Sequence, residues 1–294
     1  MHLAVLLYGL TGILGREISL QGMPLVWYRM GFTAISLCLF PAVFRHIRQM
    51  PRSLILQFAG IGVLMAIHWV TFFESIKLSN VTVGLSALST TAFFTSLIEP
   101  VVFRKQISWI EVILGLLVIA GLFMIFQFGG TEMYAGILVG LFSALIVASA
   151  SVWNKSVVAR SSNVYSMVLL EFGAGLLFLT ILMPVYWQSS YATGSLIPDW
   201  YDLFLLMVLA LLCTTLAYSL NMRALKKLTA FASNLLINLE PIYAIVLAAI
   251  FYQEYKELHP GFYGGTCLII LAVFTYPILT KQKKNSLASS KKQG

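Results

Sequence analysis

Seven stretches of this chain run for twenty residues or more without one Asp, Glu, Lys or Arg: 53–73, 78–98, 112–131, 133–154, 172–198, 203–222 and 258–280. About 20 apolar residues rising 1.5 Å each cross the roughly 30 Å hydrocarbon core of a bilayer. No water is available there, so a crossing segment must satisfy its own backbone, and an α-helix does so within one segment. The period-two alternation of an outer-membrane barrel strand is absent. Composition agrees: 10% of the residues are charged and 59% hydrophobic, whereas soluble domains carry about 25% charge.

Three more spans sit behind single charges: 2–18, 24–43 around Arg29, and 230–252 around Glu240. Glu171 lies inside a seventh span at 164–186. The predicted set is therefore ten: 2–18, 24–43, 54–73, 81–102, 109–127, 134–155, 164–186, 200–221, 230–252 and 260–280. The opening segment lacks a basic start and an A-x-A cleavage pattern, so it reads as a mature helix. Cys38, Cys213 and Cys267 fall inside spans at no metal or disulfide spacing and read as small buried hydrophobes.

Ten spans put both termini on one side. That side carries fifteen of the nineteen Lys and Arg residues, the opposite side Arg16, Lys77 and Lys256, and Arg29 lies within a span. Positive residues stay cytoplasmic, so both ends are expected in the cytoplasm. The basic tail 281–294 reads as a solvated segment able to touch anionic lipid. No nucleic-acid motif is present.

Spans one to five and six to ten have the same order of span and loop lengths, and Lys77/Lys226 and Gly115/Gly264 are each 149 residues apart. Five is odd, so a second copy enters the membrane inverted. Inverted repeats with a site near the midplane are a common transporter plan. The stretches "GLTGILGREISLQGMPLVWYRMGFTA" (9–34), "SIKLSNVTVGLSALSTTAFFTSLIEPVVFRKQISWIEVILGLLVIAG" (75–121) and "ALKKLTAFASNLLINLEPIYAIVLAAIFYQEYKELHPGFYGG" (224–265) resemble the EamA family of the drug/metabolite transporter superfamily. The resemblance covers nearly the whole chain. It implies an all-α integral membrane protein, ten helices in two inverted repeats (1–127 and 134–280) around a central cavity lined mainly by spans 1, 3, 4, 6, 8 and 9. It also implies export or exchange of small metabolites. The chain departs from the family where "FRKQ" places Lys105 at the position that Glu254 of "FYQE" takes in the second half.

Glu240 lies about 15 Å into its span at helical rise, near the midplane. A charge there costs roughly 2.5–3.5 kcal/mol on insertion scales. A neighbouring cation or an added proton removes that cost, which makes Glu240 a candidate coupling group. Pro241 leaves the carbonyl of Ile237 without its helical donor. Glu171, about 11 Å deep, is the second candidate titrating group. Glu99, about 5 Å from its span end, reads as an interfacial anchor. Arg29 has two readings: a structural cation that snorkels or pairs with Glu17 or Glu74, or a fork for a substrate carboxylate.

Helical spacing groups further polar residues. Thr214, Tyr218 and Asn221 share a face on span eight; Thr82, Ser86, Ser89, Phe93 and Ser96 do so on span four. Asn234 and Asn238 share a face on span nine, and Glu240 and Tyr243 point the other way unless Pro241 re-aims the chain. Asn154 marks a stripe of small residues on span six, and Gly9, Gly12 and Gly15 smooth span one. His68 and Trp69 lie on span three; His68 has no ligand partner at metal spacing and is either a core or a cavity residue. The candidate binding or coupling set is Glu240, Asn238, Asn234, Tyr243, Tyr218, Asn221, Thr214, His68, Trp69, Ser89, Asn154, Arg29 and Glu171.

These features predict a secondary transporter of the bacterial inner membrane working by alternating access on amino acids or drug-like molecules. The alternatives are a passive channel or facilitator, or a membrane scaffold. An intramembrane enzyme needs a nucleophile–base or paired-acid constellation, and none is legible. No cofactor or metal is expected. The expected partners are a small-molecule substrate, membrane lipid and protons as coupling ion; homodimer formation stays open. Labelling single cysteines at residues 2 and 290 from each face of the cell membrane should place both in the cytoplasm.

Overall fold

A computed structural model of the chain describes residues 1–79, 81–125, 134–161, 163–188, 196–240, 242–244, 246–247 and 260–293. The side chains of Gly12, Arg16, Val81, Thr82, Ser86, Ile125, Pro260, Phe262 and 281–293 lie outside that description, as do Pro241, Glu254 and the end of predicted span nine. Among the described residues the structure is all-helical, with no strand.

The helices are α1 (His2–Glu17), α2 (Gly22–Cys38), α3 (Pro41–Gln49), α4 (Arg52–Leu78), α5 (Val81–Ser89), α6 (Thr91–Val102) and α7 (Trp109–Ile125). They are followed by α8 (Tyr134–Val157), α9 (Val164–Gln188), α10 (Trp200–Ala210), α11 (Ala217–Leu225), α12 (Ala230–Ile237) and α13 (Pro260–Gln293). Among the described residues six helical segments are long and apolar enough to cross a membrane, or seven if the bent α2–α3 pair counts as one. Their outward surfaces are apolar: Ile181, Leu56, Leu138 and Phe274 all stand exposed, as lipid-facing side chains must. The chain is thus a multi-pass membrane protein.

Several expected spans are shaped differently. Span two does not run to residue 43. It ends at Cys38, and Pro41 starts α3, which turns by 91°. Proline lacks the N–H that would continue the helix and clashes with the preceding turn. In α3, apolar Val43 is buried while Arg45 and Arg48 are exposed, the pattern of a helix lying along a membrane surface. Span four is broken at Thr90 between α5 and α6, where the Thr90 hydroxyl donates to the Ala87 carbonyl at 2.6 Å. Such back-bonding competes with the helical ladder. Span nine breaks after Ile237: Asn238 and Leu239 form a turn, and helix resumes at Glu240. The tail is not separate: α13 continues to Gln293. Cys213 is buried as expected, but Cys38 and Cys267 are exposed, consistent with a hydrocarbon exterior that tolerates them as well as the core does.

Three apolar clusters hold the bundle: one among α2, α4, α8 and α9 around Met30, Phe58 and Phe172; one joining α7, α12 and α13; and one joining α1, α2 and α10. Glu99 is no surface anchor. It is buried, and its Oε2 accepts the N–H of Phe231 at 2.8 Å in the first turn of α12. The positive end of α12 offsets the carboxylate charge, so α6 is stitched to a helix of the other half of the chain. At another edge, Asp202 of α10 accepts the backbone N–H of Ser19 at 3.0 Å and its hydroxyl at 2.5 Å.

Helix α4 approaches α9 closely at Gly62. A Cβ on Gly62 would lie 1.8 Å from the Glu171 carbonyl oxygen. Only hydrogen fits there. Gly173, two residues beyond Glu171, has open space around it. Gly62→Ala should therefore destabilise the protein by more than the roughly 1–3 kcal/mol of an ordinary overpacked core, with loss of the monodisperse peak in detergent. Gly173→Ala is the control and should leave thermal stability unchanged or higher.

Candidate functional site

Arg29 is the most enclosed cation among the described residues, with 3% of its surface exposed. Its guanidinium does not snorkel and does not reach Glu17 or Glu74. Nε donates to the Thr214 hydroxyl at 2.6 Å and Nη2 to the Cys213 carbonyl at 3.5 Å, while the Trp69 ring lies 4.0 Å from the guanidinium carbon. These groups are neutral, and a cation over an indole face gains further from the ring quadrupole.

The receiving surface exists because span eight is not a plain α-helix. Residues Leu211–Leu216 form a π-helical turn between α10 and α11. The Thr214 hydroxyl donates to Leu209 and the Thr215 hydroxyl to Ala210, five residues back, both at 2.9 Å. Widened turns of this kind recur at functional sites. The adjacent threonines supply the donors that a wide turn needs, and the Cys213 carbonyl is left available to Arg29. Thr214 therefore touches Arg29 instead of lining open space, because the wide turn shifts it out of step with Tyr218 and Asn221.

Arg29 borders a cavity of about 120 Å³. At roughly 10–15 Å³ per water centre, that is room for on the order of ten waters, or a solute of similar size. Its wall comes from α1, α2, α4, α5–α6, α8, α11, α12 and the turn after it. The contribution of α2 through Arg29 adds to the set of spans that the sequence suggested.

Of the residues singled out from the sequence, Arg29, His68, Trp69, Ser89, Asn154, Tyr218, Asn221, Asn234, Asn238 and Glu240 all border this cavity. Glu240 borders the same cavity as Arg29, close enough for the two charges to interact. Among the described residues its carboxylate has no hydrogen-bond partner. The 238–239 turn is what lets Asn234, Asn238 and Glu240 share the cavity. Tyr243 does not share it: its hydroxyl meets His2 Nδ1 at 3.1 Å. Gly9 makes room for that stretch, since a Cβ there would stand 3.0 Å from the Ala244 nitrogen.

His68 is tied to α8. Its Nδ1 lies 2.8 Å from the Ser143 hydroxyl and 3.2 Å from the Ser143 carbonyl, and that hydroxyl donates to the His68 carbonyl at 2.8 Å. The serine hydrogen is thereby spent, so Nδ1 is the donor. Asn234 is fixed by Thr95 at 2.7 Å and Ser151 at 3.2 Å, and Asn221 accepts from Ser233 at 2.9 Å. Among the described residues no group of three or more metal-ligating side chains occurs.

Glu171 stands one layer behind the wall. It is fully buried. Its Oε2 accepts from Tyr218 at 2.6 Å and from Asn154 Nδ2 at 3.4 Å, and Asn154 also donates to the Tyr218 hydroxyl at 2.9 Å. Glu171 Oε1 and Asn154 Oδ1 are buried without partners among the described residues.

The sequence reading passed over Tyr8, Thr11, Phe72 and Ser151, all cavity-lining. Their signals were present: Tyr8 and Thr11 are three apart, Phe72 follows His68 by four, and Ser151 precedes Asn154 by three. Such spacings share a helix face.

The EamA-like transporter family model matches the chain twice, over residues 1–127 and 134–276. An uncharacterized transporter of Bacillus subtilis (strain 168), YxxF, is 21% identical over 301 residues, spanning 100% of this chain and 92% of that protein. A solved crystal structure superposes with a TM-score of 0.73 at 15% identity, covering 96% of each chain; that likeness speaks for the fold alone. A helical, multi-pass bundle around a polar cavity, matched by this model over most of its length, belongs to the EamA-like transporter family of the drug/metabolite transporter superfamily.

Proposed function

We propose that this membrane transporter moves a small zwitterionic metabolite, of the amino-acid kind, across the plasma membrane by alternating access, with Glu240 as the proton-coupling group. The observation that carries the reading is the placement of Arg29 and Glu240 on one cavity inside the bundle. A buried cation and anion together carry no net charge, and a zwitterion inserted between them keeps that neutrality. A lone anion or cation would leave an uncompensated buried charge, which is strongly destabilising. Guanidinium offers five donors in a planar fork suited to a carboxylate, and the protein engages two of its nitrogens, at Thr214 and Cys213. Glu240 would take the substrate ammonium group. Trp69, Phe72, Met65 and Leu88 offer an apolar wall for the substrate side chain.

The same reading takes the fold as ten crossings in two inverted five-helix repeats, with the basic loops and both termini cytoplasmic. The double match of the family model, in two parts of similar length, supports it. So does the helix order, once the shorter α1 and α7 and the broken span beginning at α12 are counted as crossings. The cavity draws its wall from both parts, where transporters of this plan hold substrate. Proton exchange at Glu240 would recharge the site on one face and discharge it on the other, and no covalent chemistry is asked of the substrate.

Two measurements test this. In proteoliposomes loaded with labelled amino acids, Glu240→Gln should abolish flux or remove its dependence on a pH gradient, while the protein keeps its thermal stability. Wild-type rates with unchanged pH dependence would remove Glu240 from the mechanism. Arg29→Lys keeps the charge and loses the fork; it should weaken substrate-induced thermal stabilisation by roughly ten- to a hundredfold in apparent affinity, the scale of about 1.5–3 kcal/mol for a hydrogen bond to a charged group. Unchanged affinity would exclude Arg29 as the carboxylate ligand.

A further inference from the structure

We propose that Glu171 is a second proton-binding site, reached from the cavity through the Tyr218 hydroxyl, and that loading it converts Tyr218 from an acceptor to a donor on the cavity wall. This rests on the transporter reading for its purpose but not for its observations.

The first observation is the layering. Glu171 does not border the cavity, yet both side chains that bond its Oε2, Tyr218 and Asn154, do. Tyr218 is therefore the only hydroxyl among the described residues that touches both the cavity and this acid. The second is the incomplete solvation of the carboxyl group. Oε1 is buried with no donor, and the nearest amide oxygen, Asn154 Oδ1, is likewise unpartnered. An ionised carboxylate has about four lone-pair sites to satisfy, and an orphaned charged oxygen in a low-dielectric interior is among the costliest arrangements a protein can hold. A neutral carboxylic acid needs far less: its O–H points at Tyr218, and Oε1 is only a carbonyl oxygen.

The third is the surroundings. Helix α9 packs on α2, α3, α4 and α11, and α8 reaches Glu171 through Asn154. The enclosed charged or titratable groups on those helices are Arg29 of α2, His68 of α4 and Tyr218 of α11, and α3 adds His46, whose Nδ1 is buried without a partner among the described residues. Arg29 is committed to Thr214, Cys213 and Trp69, and His68 to Ser143. Tyr218 alone bonds Glu171. No cation meets the carboxyl group among the described residues, and Phe172 covers the neighbourhood, its ring 4.9 Å from that of Tyr218 and 5.2 Å from that of Trp69.

The proton step balances in one concerted hop. With Glu171 ionised, the Tyr218 hydrogen points at Oε2, and the cavity side of the hydroxyl offers a lone pair. A hydronium in the cavity gives its proton to that lone pair as Tyr218 passes its own hydrogen to Oε2. The products are water, a neutral Glu171 whose O–H donates to Tyr218, and a Tyr218 hydrogen turned toward the cavity. Only O–H bonds form and break, and the reverse hop unloads the site. A loaded Glu171 therefore presents a donor to a substrate oxygen, and an unloaded one withdraws it.

The test uses full-length protein in nanodiscs without substrate, in a Glu240→Gln background so that the cavity carboxylate is silent. Infrared difference spectra between acid and alkaline buffer should show a protonated-carboxyl C=O band that is lost in Glu171→Gln. Tyr218→Phe should keep that band at equilibrium but slow its appearance after a pH jump, since the relay hydroxyl is gone. A band that persists in Glu171→Gln, or no pH-dependent band at all, overturns the proton site; an unslowed jump response in Tyr218→Phe overturns the relay. Unchanged thermal stability of Glu171→Gln shows that the fold survives. No substrate or flux is involved, so failure here is separate from failure of the zwitterion reading, which the liposome assay decides.

Discussion

A guanidinium held inside a membrane bundle has to be solvated by the protein, and much of this architecture follows from how Arg29 is solvated. Water is excluded from the hydrocarbon layer, and a bare cation there is prohibitive. The solution is distributed: a hydroxyl, a carbonyl released by a widened turn, an indole face and a carboxylate across the cavity. Each demands a neighbour. The hydroxyl and carbonyl require the π-helical turn in span eight; the indole requires α4 beside α2; the carboxylate requires span nine to break at residues 238–239.

Three acids enclosed by helices show how environment, not residue type, assigns a role. Glu99 spends its charge on the Phe231 N–H at the start of α12 and joins two parts of the chain. Glu240 borders the cavity opposite a cation. Glu171 has only neutral companions and one unfilled oxygen. Depth in the span, the criterion available from sequence, separated them poorly. Glu99 looked superficial and is buried, because α12 covers it.

Much of the fold was legible because hydrocarbon imposes so simple a rule: long charge-free runs become helices. Most helix positions follow from that alone. The exceptions arise where local chemistry overrides it. Pro41 cuts span two and α3 leaves at a right angle; threonine back-bonding breaks span four at Thr90; paired threonines widen span eight. The cavity residues were legible in part because a polar side chain on an apolar helix has few places to go. Asn154, Asn221 and Asn234 converge for that reason. Tyr243 was grouped with the cavity residues on the expectation that Pro241 re-aims the chain, and its hydroxyl instead meets His2. Tyr8 was missed because span one was read for its glycines, and the face that Tyr8 shares with Thr11 was not weighed as Tyr218 and Asn221 were.

The surplus residue in the Leu211–Leu216 turn sets the angular phase of everything that follows it. A helix advances about 100° per residue, so removing one residue from this turn would swing Tyr218 and Asn221 through more than a quarter of a revolution. Both would leave the cavity while the Trp200–Ala210 half stayed in place. The length of that short segment is thus as much a specification of the pocket as the identity of any side chain in it.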